Sequence, residues 1–350
     1  MNRSRTGLIG TTALTLALLL GCSARRPAVT APESGAVVLL EDLDGLQIFP
    51  ASDAWNLDAS QAPVDPSSQA YIDWISGRTA QNPTAVTTLG AYFGPPPWGI
   101  PYVVVSGTQP LLPVAFVTYP GESDAGAPGR PTGYPIPKEA KHQPGYIENN
   151  EPGDVPSPMF GDRHMIVVDR DHGLLFETGG TRWNASAVRW EAGVGATFDL
   201  SSGAARPDGW TSADAAGLPI FPGLVRYDEV TGPGEIRHAF RCNLWSTNGR
   251  VWPATHTAAG TAGAPPLGTR LRLKASVDLT GFPPQMQRIF QAMKTYGLIV
   301  ADNGGCRLGV TGTMDARWDS RVICSTFARL SADDFEVVKL GWGRPGAGGP

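Results

Sequence analysis

The sequence predicts an all-β protein, an antiparallel β-sandwich of jelly-roll type with one or two short helices and long ordered loops. Three observations favour this class. Gly and Pro are frequent, with 43 and 32 of 350 residues, and they divide the chain into short segments. Ten tryptophans stand beside only 17% charged residues, which indicates a packed core and argues against disorder or a helical bundle. Many of the short segments alternate apolar and polar residues, and the sequence has no internal repeat of the kind that a β-propeller requires.

The N-terminus has the pattern of a bacterial lipoprotein signal. Two arginines precede an apolar run from Leu8 to Leu20, which is shorter than a transmembrane helix requires. The sequence Leu19-Leu20-Gly21-Cys22 resembles the lipobox, in which signal peptidase II cleaves before a lipidated cysteine. We therefore expect a signal peptide over residues 1–21, a lipid anchor on Cys22 and a flexible tether over residues 22–36. Ser23 favours the outer membrane of the cell envelope; an ordinary signal peptide with a chance cysteine is the alternative.

Length and charge limit the domain organisation and the partners. Residues 37–341 are expected to form a single domain, followed by a disordered tail over residues 342–350. Residues 120–160, rich in Gly and Pro, are interpreted as a long loop, with a linker between two domains as the alternative. Residues 1–21 contain two arginines and no acids, so their removal changes the formal charge from −4 to −6. This mild acidity argues against nucleic acid as a partner, and we expect a monomer.

In the first half of the chain the patterns predict one helix and several strands. The helix covers residues 66–76 (PSSQAYIDWIS) and ends at Gly77. Two hairpins are expected. The first pairs residues 101–105 with 112–119, and the second, which is the clearest, pairs residues 163–169 with 174–178 through a turn at residues 170–173. The expected strands occupy residues 101–105, 112–119, 163–169, 174–178, 187–191 and 196–200.

A long loop, RPDGWTSADAAGLPIFPGLVRYDEV, organises the second half at residues 206–230. Its prolines and glycines are incompatible with a regular helix or strand, and its apolar anchors, among them Trp210 and Phe221, argue against disorder. We therefore expect an ordered loop that folds against the core, helps to wall a pocket and carries acidic side chains towards it.

Alternating strands and the strongest helix follow this loop. Over residues 234–245 the alternation places His238 on one face and Arg237 and Arg241 on the other. The remaining expected elements are a strand at residues 269–276, a helix at residues 283–296, and strands at residues 298–301 and 335–340.

Several of these segments resemble a family of secreted bacterial proteins of unassigned function. The resemblance covers most of the chain after about residue 48 and implies a secreted globular domain without implying a reaction. After ADNG the chain departs from the family pattern, because Gly305-Cys306-Arg307 stands where the family has an aromatic and polar run. The matching segments include RPDGWTSADAAGLPI at 206–220, GLVRYDEV at 223–230, KTYGLIVADNG at 294–304, PVDPSSQAYIDWI at 63–75, DRHMIVVDRD at 162–171 and WPATH at 252–256.

The cysteines predict one disulfide and no zinc site. If Cys22 carries lipid, an odd number remains, namely Cys242, Cys306 and Cys324. A pair between Cys306 and Cys324 is the expected disulfide in an oxidising periplasm, with the other pairings left open. The absence of CxxC spacing argues against zinc. Histidines on or beside strands could bind a divalent metal, but the HxH pair typical of cupin-type barrels is missing, so we expect no metal and no cofactor.

Acidic, imidazole and basic residues suggest two kinds of sugar chemistry. Glycoside hydrolysis needs two carboxyl groups about 5–10 Å apart, one with a raised pKa. Asp228 and Glu229 are adjacent and would point oppositely on a strand, so each would need a partner elsewhere. Asp302 lies at a strand end before a tight turn, where capping the turn is the alternative role. The candidate catalytic residues are Asp228, Glu229, His238, His256 and Asp302.

Polysaccharide lysis would instead use the basic strands. The stripe Arg270, Arg272 and Lys274, with Arg237 and Arg241 beside it, is either a solvated outer face or a concave face that attracts uronates. In the second case His238 or His256 would be the base and Tyr227 or Tyr296 the acid, with an arginine stabilising the enolate. The candidate substrate-binding residues are Trp210, Tyr227, Arg237 and Arg241, and the tryptophans that could stack on sugars are Trp98, Trp183, Trp210, Trp245, Trp252 and Trp318.

Taken together, these patterns predict a carbohydrate-active enzyme, hydrolase or lyase, that is anchored to the cell envelope and acts on a polysaccharide. A non-catalytic carbohydrate-binding or structural envelope lipoprotein with the same sandwich is the alternative. Motifs of other enzyme classes, namely GxSxG, the P-loop and GxGxxG, do not occur in the sequence.

Overall fold

The computed structural model describes residues 37–43, 46–124, 126, 129–155 and 162–346. The predicted signal peptide, Cys22, the tether and the last four residues lie outside this part of the chain. Within it, fourteen strands form three sheets, with four α-helices between them. The helices are α1 (Ser68–Ser76), α2 (Tyr227–Thr231), α3 (Pro284–Thr295) and α4 (Ser320–Phe327).

Strands are labelled in chain order and listed in their order across each sheet. The five-stranded sheet contains β1 (Val37–Leu39), β3 (Tyr102–Val105), β5 (Met165–Asp169), β6 (Leu174–Gly179) and β9 (Val194–Asp199). The six-stranded sheet contains β14 (Phe335–Val337), β11 (Arg270–Leu273), β12 (Leu298–Asn303), β10 (Phe240–Leu244), β13 (Gly309–Met314) and β2 (Gly90–Gly94). The three-stranded sheet contains β4 (Val114–Phe116), β8 (Arg189–Ala192) and β7 (Arg182–Asn184).

The prediction of a β-rich protein with few helices is confirmed, but its sheets are mixed. Each sheet contains at least one parallel pair: β3 with β5, β10 with β12, β13 with β2, and β4 with β8. A jelly roll is built from antiparallel strands. The jelly-roll arrangement therefore stays a prediction, whereas the β-rich class is established.

Both faces of the five-stranded sheet are covered. Val103 and Val167 pack with Trp190 of β8 in a smaller core. The alternate residues, such as Val104 and Val168, join the main core, which also contains the apolar side chains of the six-stranded sheet. This alternation is the two-residue period of a strand, and it makes the five-stranded sheet a middle layer.

The predicted hairpins have different outcomes. β5 and β6 pair antiparallel through a turn that Gly173 closes with φ +64°, so this hairpin is confirmed. Residues 101–105 and 112–119 do not form a hairpin, because β3 lies in the five-stranded sheet and β4 in the three-stranded sheet. The two predicted helices correspond to α1 and α3, while the sequence reading missed α2 and α4.

Two residues of the basic stripe, Arg270 and Arg272, are internal, and Lys274 is half-buried. Arg270 and Arg272 are 6% and 8% exposed, because residues 54–62 cover this face of β11. Arg272 donates to the carboxylate of Glu336 at 2.6 Å and to the carbonyl of Ala62 at 2.9 Å. Arg270 donates to the carbonyls of Tyr296 and Ala54. An exposed or concave basic face on β11 is therefore a wrong expectation, and these arginines tie backbone segments together.

The three described cysteines are thiols, so the expected bond between Cys306 and Cys324 is absent from this structure. Cys242 is buried on β10, whereas Cys324 is exposed on α4. Trp342 is half-buried, and its backbone N–H donates to the carbonyl of Lys339 at 3.0 Å, whereas residues 343–346 are exposed. None of the described helices has both the length and the apolar character needed to cross a bilayer.

Candidate functional site

The loop at residues 206–230 is ordered and folded against the core, as the sequence predicts. The carboxylate of Glu177 on β6 accepts the backbone N–H groups of Ile220 and Phe221 at 2.8–2.9 Å. The hydroxyl of Ser212 donates to the carbonyl of Leu218 at 2.6 Å, which closes the loop on itself. Residues 217–219 also line a cavity of about 300 Å³, so the loop walls a pocket.

A buried arginine near the start of β10 connects this loop to the carboxyl end of the parallel strand β12. Arg241 on β10 forms a bidentate pair with Asp214 of the loop, at 2.6 and 2.9 Å. The same guanidinium donates to Asp302, at the end of β12, at 2.7 Å and to the hydroxyl of Thr311 at 2.6 Å. Ligand sites in sheets with parallel strands commonly lie at the carboxyl ends of those strands. Asp214, Arg241, Asp302 and Thr311 are called the Arg241 cluster below.

An imidazole and a second carboxylate adjoin this cluster. Nδ1 of His164 lies 2.8 Å from Oε2 of Glu148, and Nε2 lies 2.9 Å from the carbonyl of Ala213, next to Asp214. Burial lowers the pKa of His164, but the charge and hydrogen bond of Glu148 outweigh it and raise the pKa to about 9. Burial alone would raise the pKa of Glu148; His164 and Arg241 lower it below its ordinary value. Near neutral pH the two residues form an ion pair.

The site contains more carboxyl groups than cations, and two of the carboxyl groups have raised pKa values. Burial raises the pKa of Glu177 to about 7, against the two backbone N–H groups that it accepts. Burial and the Asp214 carboxylate raise the pKa of Asp302 to about 6 despite Arg241. The four carboxyl groups are Glu148, Glu177, Asp214 and Asp302, and the two cations are His164 and Arg241.

Solvent access separates the two carboxyl groups with raised pKa values. Glu177 is 0% exposed and its oxygens hold the loop, so its role is structural. The side chain of Asp302 is 21% exposed, and that of Glu148 is 20% exposed. Asp302 is therefore a carboxyl group that a ligand can reach and that takes up a proton as the pH falls towards 6, and Glu148 is an ionised carboxylate nearby. A proton donor and an ionised carboxylate are the two roles that general acid–base chemistry requires.

An exposed tryptophan stands at the edge of this site. Trp245 directly follows β10, in which Asn243 pairs with Asp302 of β12. It is 47% exposed, and its ring stacks on that of Trp74 with centroids 5.4 Å apart and an interplanar angle of 11°. The guanidinium of Arg307 lies 5.5 Å from the Trp245 ring. Such a fixed and exposed indole can stack on the apolar face of a sugar ring.

Three predicted catalytic residues lie in a second buried group, the Arg226 cluster. It consists of Arg226, Asp228, Glu229 and His238. Arg226 donates to Glu229, and Nε2 of His238 lies 3.0 Å from the same carboxylate. Asp228 accepts the backbone N–H of Leu43 at 2.9 Å. These four side chains are only 1–9% exposed, so a substrate has little access to them.

The expected geometry of Asp228 and Glu229 is wrong, because they lie on the helix α2 and not on a strand. Burial raises the pKa of Asp228, whereas Arg226 and His238 outweigh burial and lower the pKa of Glu229. Arg288 of α3 donates to the carbonyls of Gly232 and Glu229 at the end of α2. These contacts hold α2 in place.

The remaining predicted residues are dispersed. Nδ1 of His256 lies 2.8 Å from the carbonyl of Ala215, next to Asp214. Tyr227 packs edge-on against Trp318 with centroids 4.9 Å apart. Trp210 is half-buried, with Arg206 over its ring, and Arg237 is exposed. Of the nine candidates, Arg241 and Asp302 alone share the Arg241 cluster. Glu148 was missed, because nothing in its stretch of Gly and Pro marks it.

Within the described residues, no group of three or more His, Cys, Asp or Glu side chains is arranged to hold a metal ion. Comparisons of the chain with models of protein families, with curated proteins and with solved structures find no match. The function is therefore inferred from the site itself.

Proposed function

We propose that this chain is a carbohydrate-active enzyme of the envelope, anchored through Cys22, that hydrolyses glycosidic bonds. The observation that carries the proposal is Asp302, a solvent-reaching carboxyl group that is held by Arg241 and has a pKa raised to about 6. Its ionised counterpart is Glu148, which His164 fixes at 2.8 Å. Glycosidases use one carboxylic acid and one carboxylate in this way.

In the proposed reaction Asp302 gives its proton to the glycosidic oxygen as the bond from the anomeric carbon to that oxygen breaks. A water molecule adds to the anomeric carbon, and Glu148 takes the proton that this water releases. Exchange with solvent then returns the proton from Glu148 to Asp302. Trp245 would stack on the sugar next to the cleaved bond.

The occupied hydrogen bonds of Arg241 favour hydrolysis over lysis. Four donor contacts of Arg241 go to Asp214, Asp302 and Thr311. A lyase needs a cation that neutralises the uronate carboxylate and stabilises the enolate. In the Arg241 cluster that cation already forms a bidentate pair with the carboxylate of Asp214. His238, one of the two bases expected for a lyase, is paired with Glu229 instead.

A non-catalytic glycan-binding role is the second candidate, and the exposed stack of Trp245 on Trp74 favours it. For the scaffold we keep the expectation of a sandwich of jelly-roll type, which two large sheets with a shared core support.

The test is to incubate the mature chain with a panel of neutral and uronic-acid glycans while following reducing ends and the absorbance of unsaturated uronates. Hydrolysis predicts new reducing ends without unsaturated product, and their loss in Asp302→Asn. Formation of an unsaturated product would show that the enzyme is a lyase and not a hydrolase. No reducing ends on any glycan would leave the binding role.

A further inference from the structure

The loop that supplies Asp214 also lines a cavity of about 300 Å³. This volume is at the lower end of the range for small-molecule sites. Its walls combine aromatic and proline side chains with small residues, and its acidic group is Asp53. The walls include Phe49, Trp55, Phe198, Pro219, Trp252 and Pro253.

Asp53 has one carboxylate oxygen to offer to a ligand. It precedes a 3₁₀ turn at Ala54–Asn56, where its Oδ1 accepts the backbone N–H of Trp55 at 2.9 Å. Among the described residues no hydrogen bond reaches Oδ2. This oxygen lies close to Gly203: a Cβ added to Gly203 would be 2.3 Å from it. A side chain on Gly203 would therefore crowd this carboxylate. Burial raises the pKa of Asp53 to about 6, although Trp55 and Arg270 oppose it.

The buried guanidinium of Arg270, which contacts the lining residue Ala54, indicates what charge a ligand of the cavity has. Arg270 donates to the carbonyls of Ala54 and Tyr296, and within the described chain it forms no ion pair. Its field acts to lower the pKa of Asp53, and burial lowers the pKa of Arg270 itself to about 10, although the field of Asp53 opposes this. Because this cation already balances the carboxylate, a cationic ligand gains little from Asp53. A neutral ligand with hydroxyl donors gains a charge-assisted hydrogen bond.

We propose that this cavity binds one neutral sugar residue, with Trp252 stacking on the ring and Asp53 accepting its hydroxyl groups. A sugar has both an apolar C–H face and polar edges, which aromatic walls with a single acid can match. The site extends the proposed function but uses different residues from the Arg241 cluster. Asp214 belongs to the Arg241 cluster, and residues 217–219 of the same loop line the cavity. A sugar bound in the cavity would therefore help to fix the position of Asp214.

The test is isothermal titration calorimetry of the mature chain with glucose, N-acetylglucosamine, cellobiose and, as a cationic probe, glucosamine. We expect at least one neutral sugar to bind, and its affinity to fall at least 10-fold in Asp53→Asn and in Trp252→Ala. Asn keeps the acceptor for Trp55, so Asp53→Asn retains the cap of the turn. Trp98→Ala, which removes a tryptophan that is 63% exposed and lies outside the cavity, should bind normally.

The result for Asp302→Asn separates this inference from the proposed function. Binding in the cavity should persist in this variant even though hydrolysis is lost. If no glycan is cleaved but a neutral sugar binds through Asp53 and Trp252, the cavity site stands and hydrolysis fails. The inference would be overturned if no neutral sugar bound or if only glucosamine bound. It would also be overturned if Asp53→Asn and Trp252→Ala bound the sugar as tightly as the wild type.

Discussion

The Arg241 and Arg226 clusters are built from the same residue types and differ in access. Each has a buried arginine between two carboxyl groups, with an imidazole nearby. In the Arg226 cluster no side chain is more than 9% exposed, and its contacts end on backbone groups of α2 and of Leu43. In the Arg241 cluster the side chain of Asp302 is 21% exposed.

The difference teaches that burial and charge balance, and not residue type, distinguish a structural ion-pair network from a candidate active site. Both kinds of network perturb pKa values. The surplus of carboxyl groups around Arg241 raises the pKa of Asp302, a group that solvent reaches. Around Arg226 the pKa of Asp228 is raised and that of Glu229 is lowered, but both groups are enclosed, so their charges serve stability.

The largest expected effect is on catalysis. Asp302→Asn should lower kcat by about 10²–10⁴-fold on a glycan that the wild type cleaves, because Asn still contacts Arg241 but has no acidic proton to give. Glu229→Gln should leave kcat within about threefold, since Glu229 only holds α2. Steady-state kinetics checks both variants, with unfolding curves to show that each is folded. Loss of activity in Glu229→Gln alone would place the chemistry at the Arg226 cluster.

The next largest effect is on stability. Arg226→Met should cost about 3–5 kcal/mol in the free energy of unfolding, because it leaves Asp228 and Glu229 buried without their cation. Chemical denaturation measures this loss. The matched control is Arg250→Met, which removes a salt bridge to Asp208, whose side chain is 82% exposed, and should cost far less. Equal losses in the two variants would mean that the Arg226 cluster is not structural.

Glu177, beside the Arg241 cluster, and Glu229, in the Arg226 cluster, should respond to pH with opposite signs. The folded pKa of Glu177 is raised from 4.5 to about 7, so its stabilisation is complete below about pH 4.5 and is lost as the pH rises through 7. The pKa of Glu229 is lowered, so its stabilisation is present above pH 4.5 and is lost as the pH falls through the folded pKa.

As the pH rises from 5 to 8, the wild type should therefore lose free energy of unfolding. Glu177→Gln should lose about 1–3 kcal/mol less than the wild type does. In Glu229→Gln the part that is lost on acidification below pH 4.5 should shrink instead. Denaturation at pH 3.5, 5 and 8 measures both. Parallel curves for wild type and Glu177→Gln would refute the proton assigned to Glu177.

The smallest expected effect is on substrate binding. Trp245→Ala should raise KM by about 3- to 10-fold with kcat almost unchanged, since an aromatic contact contributes about 0.5–1.5 kcal/mol. Trp98→Ala, another exposed tryptophan, should leave KM unchanged. The same KM in Trp245→Ala as in the wild type would remove Trp245 from the binding site.

Patterns in the sequence predicted the elements that depend mainly on residues close together along the chain. The hairpin of β5 and β6, the helix α3 and the ordered loop at residues 206–230 follow from alternation, from helical spacing, and from prolines and glycines among apolar anchors. Arg241 and Asp302 were identified as candidates because each is a charged residue on or beside an apolar strand. The sequence could not pair them, since 61 residues separate them along the chain.

What the sequence by itself determined is therefore the β-rich class, several elements and the kinds of chemistry available. The tertiary structure decided the rest: it put Asp228 and Glu229 on a helix, buried Arg270 and Arg272, and brought Glu148 to the site. The physical reason is that burial and pKa depend on which segments cover a residue. Those segments come from distant parts of the chain, and strand alternation carries no information about them.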